Sequence, residues 1–211
     1  LSFINEPVPL SDTRLAVLDE YEYFDPPEGR LTLTTATPVL SGSVTAATSI
    51  YYTPYVGNRI PLLTESLFCE RAFSELTLAL DSNSGNTGYQ QSGKNFDLFV
   101  YNDAGTLRLC SGPAWTNDTT RAAALTRLRG LLVNNASITL KYDAPSATLT
   151  GAANSALYVG TFRASANGQT EMSLGAPTPA VGGTNNKLYL WNAYQRVPTS
   201  ATCRESTDSW T

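Results

Sequence analysis

The sequence predicts an all-β protein, an antiparallel β-sandwich of the jelly-roll kind with one short helix and an extended N-terminal arm. Three observations support this fold class: apolar residues recur with period two in many short stretches, turn residues separate these stretches, and charged residues are few. Only 15% of the 211 residues are charged, whereas Gly and Pro number 15 and 12. A chain of this length can bury a core without disulfides or metals.

The N-terminal residues 1–36 are predicted to form an arm, and residues 37–211 the sandwich domain. Residues 1–30 carry seven acidic side chains against two arginines and end in the helix-disfavouring sequence DPPEGR, Asp25–Arg30. Two interpretations remain open. The arm is either a solvated, partly extended segment or an attachment segment that docks on another subunit.

Alternation predicts the strands that follow. RLTLTT and TSIYYTPY come first, and ELTLALD places its three leucines on one face. In NFDLFVYNDAGTLRLC two strands flank a turn at Asn102–Gly105, which makes this the clearest hairpin. SITLKY repeats the alternation, whereas ALYVGTFR and NKLYLWNAY have bulky residues on both faces. The last two are therefore predicted to be central, or covered by another subunit.

One segment departs from this pattern. TTRAAALTRLRG contains helix formers, a candidate cap at Thr119 or Thr120 and a stop at Gly130. The sequence predicts a short helix over residues 120–129.

Several classes of function are excluded or disfavoured. The chain has no histidine, so it cannot contain a Ser-His-Asp or Cys-His catalytic group or a histidine-ligated metal. Phosphate-binding glycine loops do not occur, and no basic patch accompanies the net charge of −4. The sequence predicts no cofactor, no nucleic-acid partner, no membrane insertion and no enzymatic activity.

Cysteines 69, 110 and 203 form an odd set, so at least one thiol has no partner within the chain. The three are candidates for free thiols, for one intrachain disulfide, or for a disulfide between subunits.

Carboxylates and aromatic residues supply the candidates for a site. A glycosidase needs two suitably spaced carboxylates, and strand positions offer Glu75, Asp81, Asp97 and Asp143, although turn or surface roles explain them more simply. Four aromatic residues are candidates for contact with a sugar or another subunit, while core packing is the alternative. They are Tyr89, Trp115, Trp191 and Tyr194.

Several motifs in order resemble a family of bacteriophage and prophage structural proteins, frequent in phages of alphaproteobacteria and described as fibre or tail proteins. They are SVTAATSIYYTPYVGNRIPL, FDLFVYNDAGTLRLCSGPAW, LRGLLVN, YVGTF with ANGQT, GGTNNKLYLWNAYQRVP and TDSWT. The resemblance covers residues 37–211 and is carried by Tyr51, Tyr52, Pro54, Tyr55, Gly57, Asn58, Gly112, Pro113, Ala114, Trp115, Asn192, Ala193, Tyr194, Arg196, Val197, Ser209 and Trp210.

This resemblance implies a virion component, a fibre or spike domain exposed to the host surface. The expected partners are copies of the chain, as a homotrimer, other virion proteins through the arm, and a host-surface glycan. Capsid decoration or a head fibre is one alternative. A carbohydrate-binding or carboxylate-dependent glycan-degrading protein is the other.

Overall fold

The computed structural model describes residues 24–64, 67–173 and 186–198. Every regular element in these residues is a β-strand, and every strand pair is antiparallel, so the predicted all-β antiparallel class is confirmed. The strands are β1 Gly29–Thr32, β2 Val44–Ala47, β3 Ser49–Pro54, β4 Arg59–Thr64, β5 Leu67–Ala72, β6 Leu76–Ala79, β7 Asn95–Asp103, β8 Thr106–Ala114, β9 Leu125–Leu128, β10 Leu131–Asn134, β11 Ile138–Asp143, β12 Ala147–Gly151, β13 Leu157–Arg163, β14 Thr170–Ser173, β15 Lys187–Leu188 and β16 Leu190–Asn192. Among these residues no helix has the length and apolar character needed to cross a membrane.

An eight-stranded sheet forms the main layer. Its order is β12-β11-β8-β7-β13-β10-β9, and β16 pairs with β13 beside β10. A three-stranded sheet of order β1-β3-β6 contributes to the same core. The described residues also form a second three-stranded sheet, β15-β14-β2, and a two-stranded sheet, β4-β5. The two larger sheets thus share one apolar interior.

The interior is filled by the side chains that alternate inward along these strands. Phe96 and Phe162 stack at a centroid distance of 5.3 Å in the main sheet, and Ile50 and Leu78 of the smaller sheet belong to the same buried cluster. A second cluster lies apart from it and includes Phe99, Cys110, Ile138, Leu140, Ala156 and Tyr158. Both faces of the central strands β7 and β13 are therefore covered, as ALYVGTFR predicts for β13.

The hairpin predicted around Asn102–Gly105 is confirmed. Strands β7 and β8 pair from Asp103↔Thr106 outward, and the two residues between them have positive φ, 46° at Ala104 and 98° at Gly105. Two consecutive positive φ values define the tight turn whose twist matches that of the flanking strands.

The short helix predicted at residues 120–129 is wrong. Residues 125–128 form β9, which turns through Arg129 (φ 47°) and Gly130 (φ 85°) and pairs with β10. Gly130 thus serves a hairpin turn and does not cap a helix. The helix propensity of this segment is overridden because β10 buries Leu131 and Val133 in the core and offers β9 an edge to pair with.

The described part of the predicted arm belongs to the fold. Strand β1 pairs with β3 over four residues, and Leu31 lies in the core with an exposed fraction of 2%. The sandwich therefore begins before the predicted boundary at residues 36 and 37. Residues 1–23 of the predicted arm lie outside the described residues.

The sequence NKLYLWNAY does not form one long strand. It divides at Tyr189 into β15, which pairs with β14, and β16, which pairs with β13. Leu190 is buried, but Leu188 and Trp191 are 41% and 45% exposed in this single chain. A central position is thereby excluded for β16, while contact with another subunit or a ligand stays a prediction.

Candidate ligand-binding groove

A groove of about 590 Å³ lies beside β16. Its lining combines arginine, aromatic and aliphatic side chains: Arg30, Arg121, Leu132, Tyr158, Met172, Leu188, Leu190, Trp191, Asn192, Ala193, Arg196 and Val197. A second cavity of about 290 Å³ shares five of these residues and continues to Pro38, Val39 and Leu40. We call the two together the β16 groove. Its volume is in the range of small-molecule and cofactor sites.

One wall of the β16 groove is fixed to the opposite sheet by an amide side chain. Asn192 Oδ1 accepts a hydrogen bond from the backbone N–H of Leu31 at 2.7 Å, and Asn192 Nδ2 donates to the Leu31 carbonyl at 3.2 Å. This side chain satisfies both backbone groups of a residue in β1. Because Arg30 precedes Leu31 and Trp191 precedes Asn192, the pairing sets the separation of two groove residues.

Arg30 is held in place by backbone carbonyls. Its Nε donates to the carbonyl of Pro38 at 2.8 Å, and its Nη1 donates to the carbonyl of Gln195. Partial burial lowers the pKa of Arg30 from its ordinary value, although a guanidinium keeps its charge at neutral pH. Arg30 is thus a fixed positive charge where the two cavities meet.

Arg121 is held by a buried carboxylate and two aromatic rings. Its Nε donates to Asp97 Oδ2 at 2.8 Å, and Asp97 is only 4% exposed. The guanidinium lies 4.6 Å from the Trp115 ring centroid and 5.5 Å from that of Tyr158. These contacts orient a planar cation toward the β16 groove.

The pKa of Asp97 depends on this environment. Burial raises its pKa above the ordinary value, while the hydrogen bond from Thr161 Oγ1 at 2.7 Å and the charge of Arg121 offset part of that increase. Thr161 pairs with Asp97 on one side and with Trp191 on the other. The three residues thus form a row across β7, β13 and β16, which connects the buried carboxylate to the exposed tryptophan.

The four aromatic candidates have different positions. Trp191 lines the β16 groove. Trp115 lies against Arg121, which lines the groove. The Tyr194 hydroxyl accepts a hydrogen bond from the Leu132 N–H at 2.9 Å, and burial raises the pKa of Tyr194. Tyr89 is half-buried in the loop before β7 and is not among the groove residues.

Sequence patterns did not indicate Arg30, Arg121 or Tyr158 as groove residues. Arg121 stood within a predicted helix, and Tyr158 stood in a strand whose bulky residues are typical of a core. Arg196 is among the residues that carry the family resemblance, but no role in a groove was predicted for it.

The four candidate carboxylates are not brought together. None of them lines the β16 groove as the described residues form it, and each of the four has its own partners. Glu75 accepts hydrogen bonds from Thr35, Ala36 and Thr53. Asp143 accepts one from the N–H of Ala144.

Asp81 and Lys141 form a buried ion pair that holds the long loop Asp81–Asn95. Lys141 Nζ lies 2.9 Å from Asp81 Oδ2, and their side chains are 2% and 4% exposed. Lys141 also donates to the carbonyl of Pro145, and Asp81 accepts hydrogen bonds from Asn83 and Asn86. Burial acts to raise the pKa of Asp81, but these bonds and the ammonium charge bring it below its ordinary value.

Two of the three cysteines lie in the described residues, and neither is in a disulfide. Cys69 in β5 is exposed, whereas Cys110 in β8 is buried, which raises the pKa of its thiol to about 12. Cys110 therefore stays a thiol at neutral pH. Cys203 lies outside the described residues, so the predicted pairings stay open for it and for Cys69.

Comparisons with protein-family models, with curated proteins and with solved structures found no match to this chain.

Proposed function

We propose that this chain is a structural protein of a phage virion, a fibre or spike component that assembles with copies of itself and binds the host surface. The single observation that supports host binding is the β16 groove with its exposed Trp191. The jelly-roll form of the sandwich belongs to this proposal too. A catalytic role is not part of it, because the described residues that line the groove supply hydrogen-bond donors and an aromatic ring and include no carboxylate pair.

A glycan is the ligand that best suits this lining. A tryptophan face packs against the C–H face of a sugar ring, and fixed polar groups around it satisfy the hydroxyls. Trp191 is 45% exposed at the sheet edge, and Asn192 and Arg196 follow it in the groove. The elongated shape across two cavities suits a short oligosaccharide better than a single sugar.

Replacing Trp191 with alanine is expected to reduce binding of the purified, fluorescently labelled protein to host cells by at least about tenfold, since burying a large apolar side chain is worth roughly 1.5–3 kcal/mol. Tyr89→Ala is the matched control, because it removes another aromatic ring away from the groove. Equal loss in both variants, or none in Trp191→Ala, would count against the groove as the binding site. Peptide mass spectrometry of purified particles tests the virion assignment separately.

Self-assembly is the second part of the proposal, and a homotrimer is its expected form, with residues 1–36 attaching it to other virion proteins. Light scattering with and without reductant should give three times the chain mass of 22.7 kDa. A mass that falls on reduction would assign an intersubunit disulfide to a cysteine other than the buried Cys110. A monomer at micromolar concentration in both conditions contradicts the trimer.

Capsid decoration or a head fibre is the alternative within the same class. Copy number distinguishes it, because a decoration protein occurs in hundreds of copies per particle and a tail fibre in a few tens at most.

A further inference from the structure

We propose that the β16 groove recognises an anionic polysaccharide segment, in which the carboxylate of an acidic sugar binds Arg121 and Arg196 while the sugar ring packs on Trp191. This inference rests on the proposed glycan-binding function and adds the charge of the ligand and the residues that read it.

The charges around the groove favour an anion. Three arginines line it, and the lining contains no acidic residue among the described part of the chain. Asp97, the carboxylate that pairs with Arg121, is buried and is not itself in the lining. The groove is thus positive although the whole chain has a net charge of −4. A positive groove on an acidic protein selects anions from its surroundings.

Two arginines that line this groove have N–H donors available. Arg121 uses Nε toward Asp97 and Nη2 toward the Tyr158 hydroxyl, which leaves Nη1 without a hydrogen bond to any described residue. Arg196 is exposed and has neither an ion pair nor a hydrogen bond within that same part of the chain. Two guanidinium groups with available N–H donors suit a carboxylate, which accepts paired charge-assisted hydrogen bonds.

Arg121 is also pre-organised for binding. The Asp97 carboxylate and the rings of Trp115 and Tyr158 restrain its guanidinium before any ligand arrives. Immobilising a free arginine side chain on binding costs conformational entropy, and most of that cost is already met in the folded chain. A restrained arginine of this kind is typical of a recognition site more than of a solvated surface.

The groove favours an acidic glycan over a free inorganic anion or an acidic peptide. An inorganic anion would use the arginines alone and leave Trp191 without a role. The second cavity, which continues past Arg30 to Pro38 and Leu40, lengthens the site for a chain-like ligand. Binding of a sugar polymer would use both cavities, the ring and the charges together.

The test is calorimetric titration of the purified chain with trimers of three uronic acids, namely galacturonate, glucuronate and mannuronate, and with the carboxyl-reduced trimer of each. We expect at least one acidic trimer to bind, its reduced counterpart to bind at least about tenfold more weakly, and added salt to weaken the acidic trimer alone.

Arg196→Gln should weaken the acidic trimer by about tenfold and the reduced trimer by less, because it removes a charge-assisted contact that only the carboxylate can make. Arg59→Gln is the matched control: it removes an exposed arginine outside the groove, whose pair with Glu70 is 3.7 Å long. Circular dichroism checks that each variant is folded. Arg121→Gln is a second test, but it leaves Asp97 buried without its cation, so Arg196 is the decisive position.

Three results would overturn the inference. The first is equal affinity for acidic and reduced trimers. If binding of both trimers depends on Trp191, this result leaves the proposed glycan-binding function intact. The second is equal weakening by Arg196→Gln and Arg59→Gln, which would show a nonspecific charge effect. The third is no binding of any acidic trimer. If the protein still binds host cells through Trp191, that result removes the acidic ligand and keeps the proposed function.

Discussion

Replacing Lys141 with methionine is expected to lower the free energy of unfolding by about 3–5 kcal/mol, the cost of removing one partner from a buried ion pair. Methionine keeps the apolar stem of lysine but leaves the Asp81 carboxylate buried without its cation, and the carbonyl of Pro145 without its donor. Urea denaturation followed by tryptophan fluorescence measures the change. A loss smaller than about 1 kcal/mol would mean that solvent reaches Asp81 and that the pair is not buried.

A double variant separates the pair from its surroundings. Asp81→Asn removes the buried negative charge and keeps an oxygen that can accept the hydrogen bond from the Asn83 N–H. The combined Lys141→Met and Asp81→Asn protein should therefore lose less stability than the sum of the two single variants.

The same pair makes stability depend on pH in one direction. Because the folded-state pKa of Asp81 lies below its ordinary value, its contribution is present above the unfolded-state pKa of about 3.9 and is lost as pH falls through the folded-state pKa. Acid titration of the unfolding free energy should thus show a smaller difference between wild type and the double variant below about pH 4.

Replacing Gly160 with alanine is expected to lower the free energy of unfolding by about 3 kcal/mol, the upper end of the range for inserting a methyl group into a filled space. A Cβ on Gly160 would lie less than 3.0 Å from the backbone oxygen of Trp191 and from a methyl carbon of Leu31. The backbone of β16 must therefore move away from β13. Since β16 carries Trp191, glycan binding should fall together with stability.

Gly42→Ala is the matched control, because a Cβ there meets no atom within 4 Å. It should change the free energy of unfolding by no more than about 0.5 kcal/mol and leave binding unchanged. If Gly160→Ala behaves in the same way, β16 is not packed against β13 as described.

Strands were predictable from the sequence where one face is buried, because burial on a single face produces alternation. This holds for Leu78 and Leu80, for the hairpin around Ala104–Gly105, and for Ile138 and Leu140. The segment at 120–129 was misread because its alanines, leucines and arginines favour a helix locally. Pairing with β10 decides its structure, and local propensity does not predict that pairing.

The β16 groove was less predictable than the fold. Trp191 was a candidate because its strand has bulky residues on both faces. In the structure one of these residues, Trp191, is exposed at the groove. Arg30 and Arg121 join it from positions far along the chain, and only the packing of the two sheets brings them there. Their spacing in the sequence contains no period or motif that indicates this.

The pairing of Asn192 with Leu31 has a consequence for how the protein is made. These residues are 161 positions apart. Leu31 is therefore synthesised long before Asn192, and this wall of the groove cannot form until both have been synthesised. Contacts of such long sequence separation carry a loop-closure cost and slow folding. A nascent chain that stops before residue 186 lacks β15 and β16, which form one wall of the groove, even if its other strands have paired. A chain without β16 would therefore also lack, under the proposed function, the Trp191 contact with the ligand.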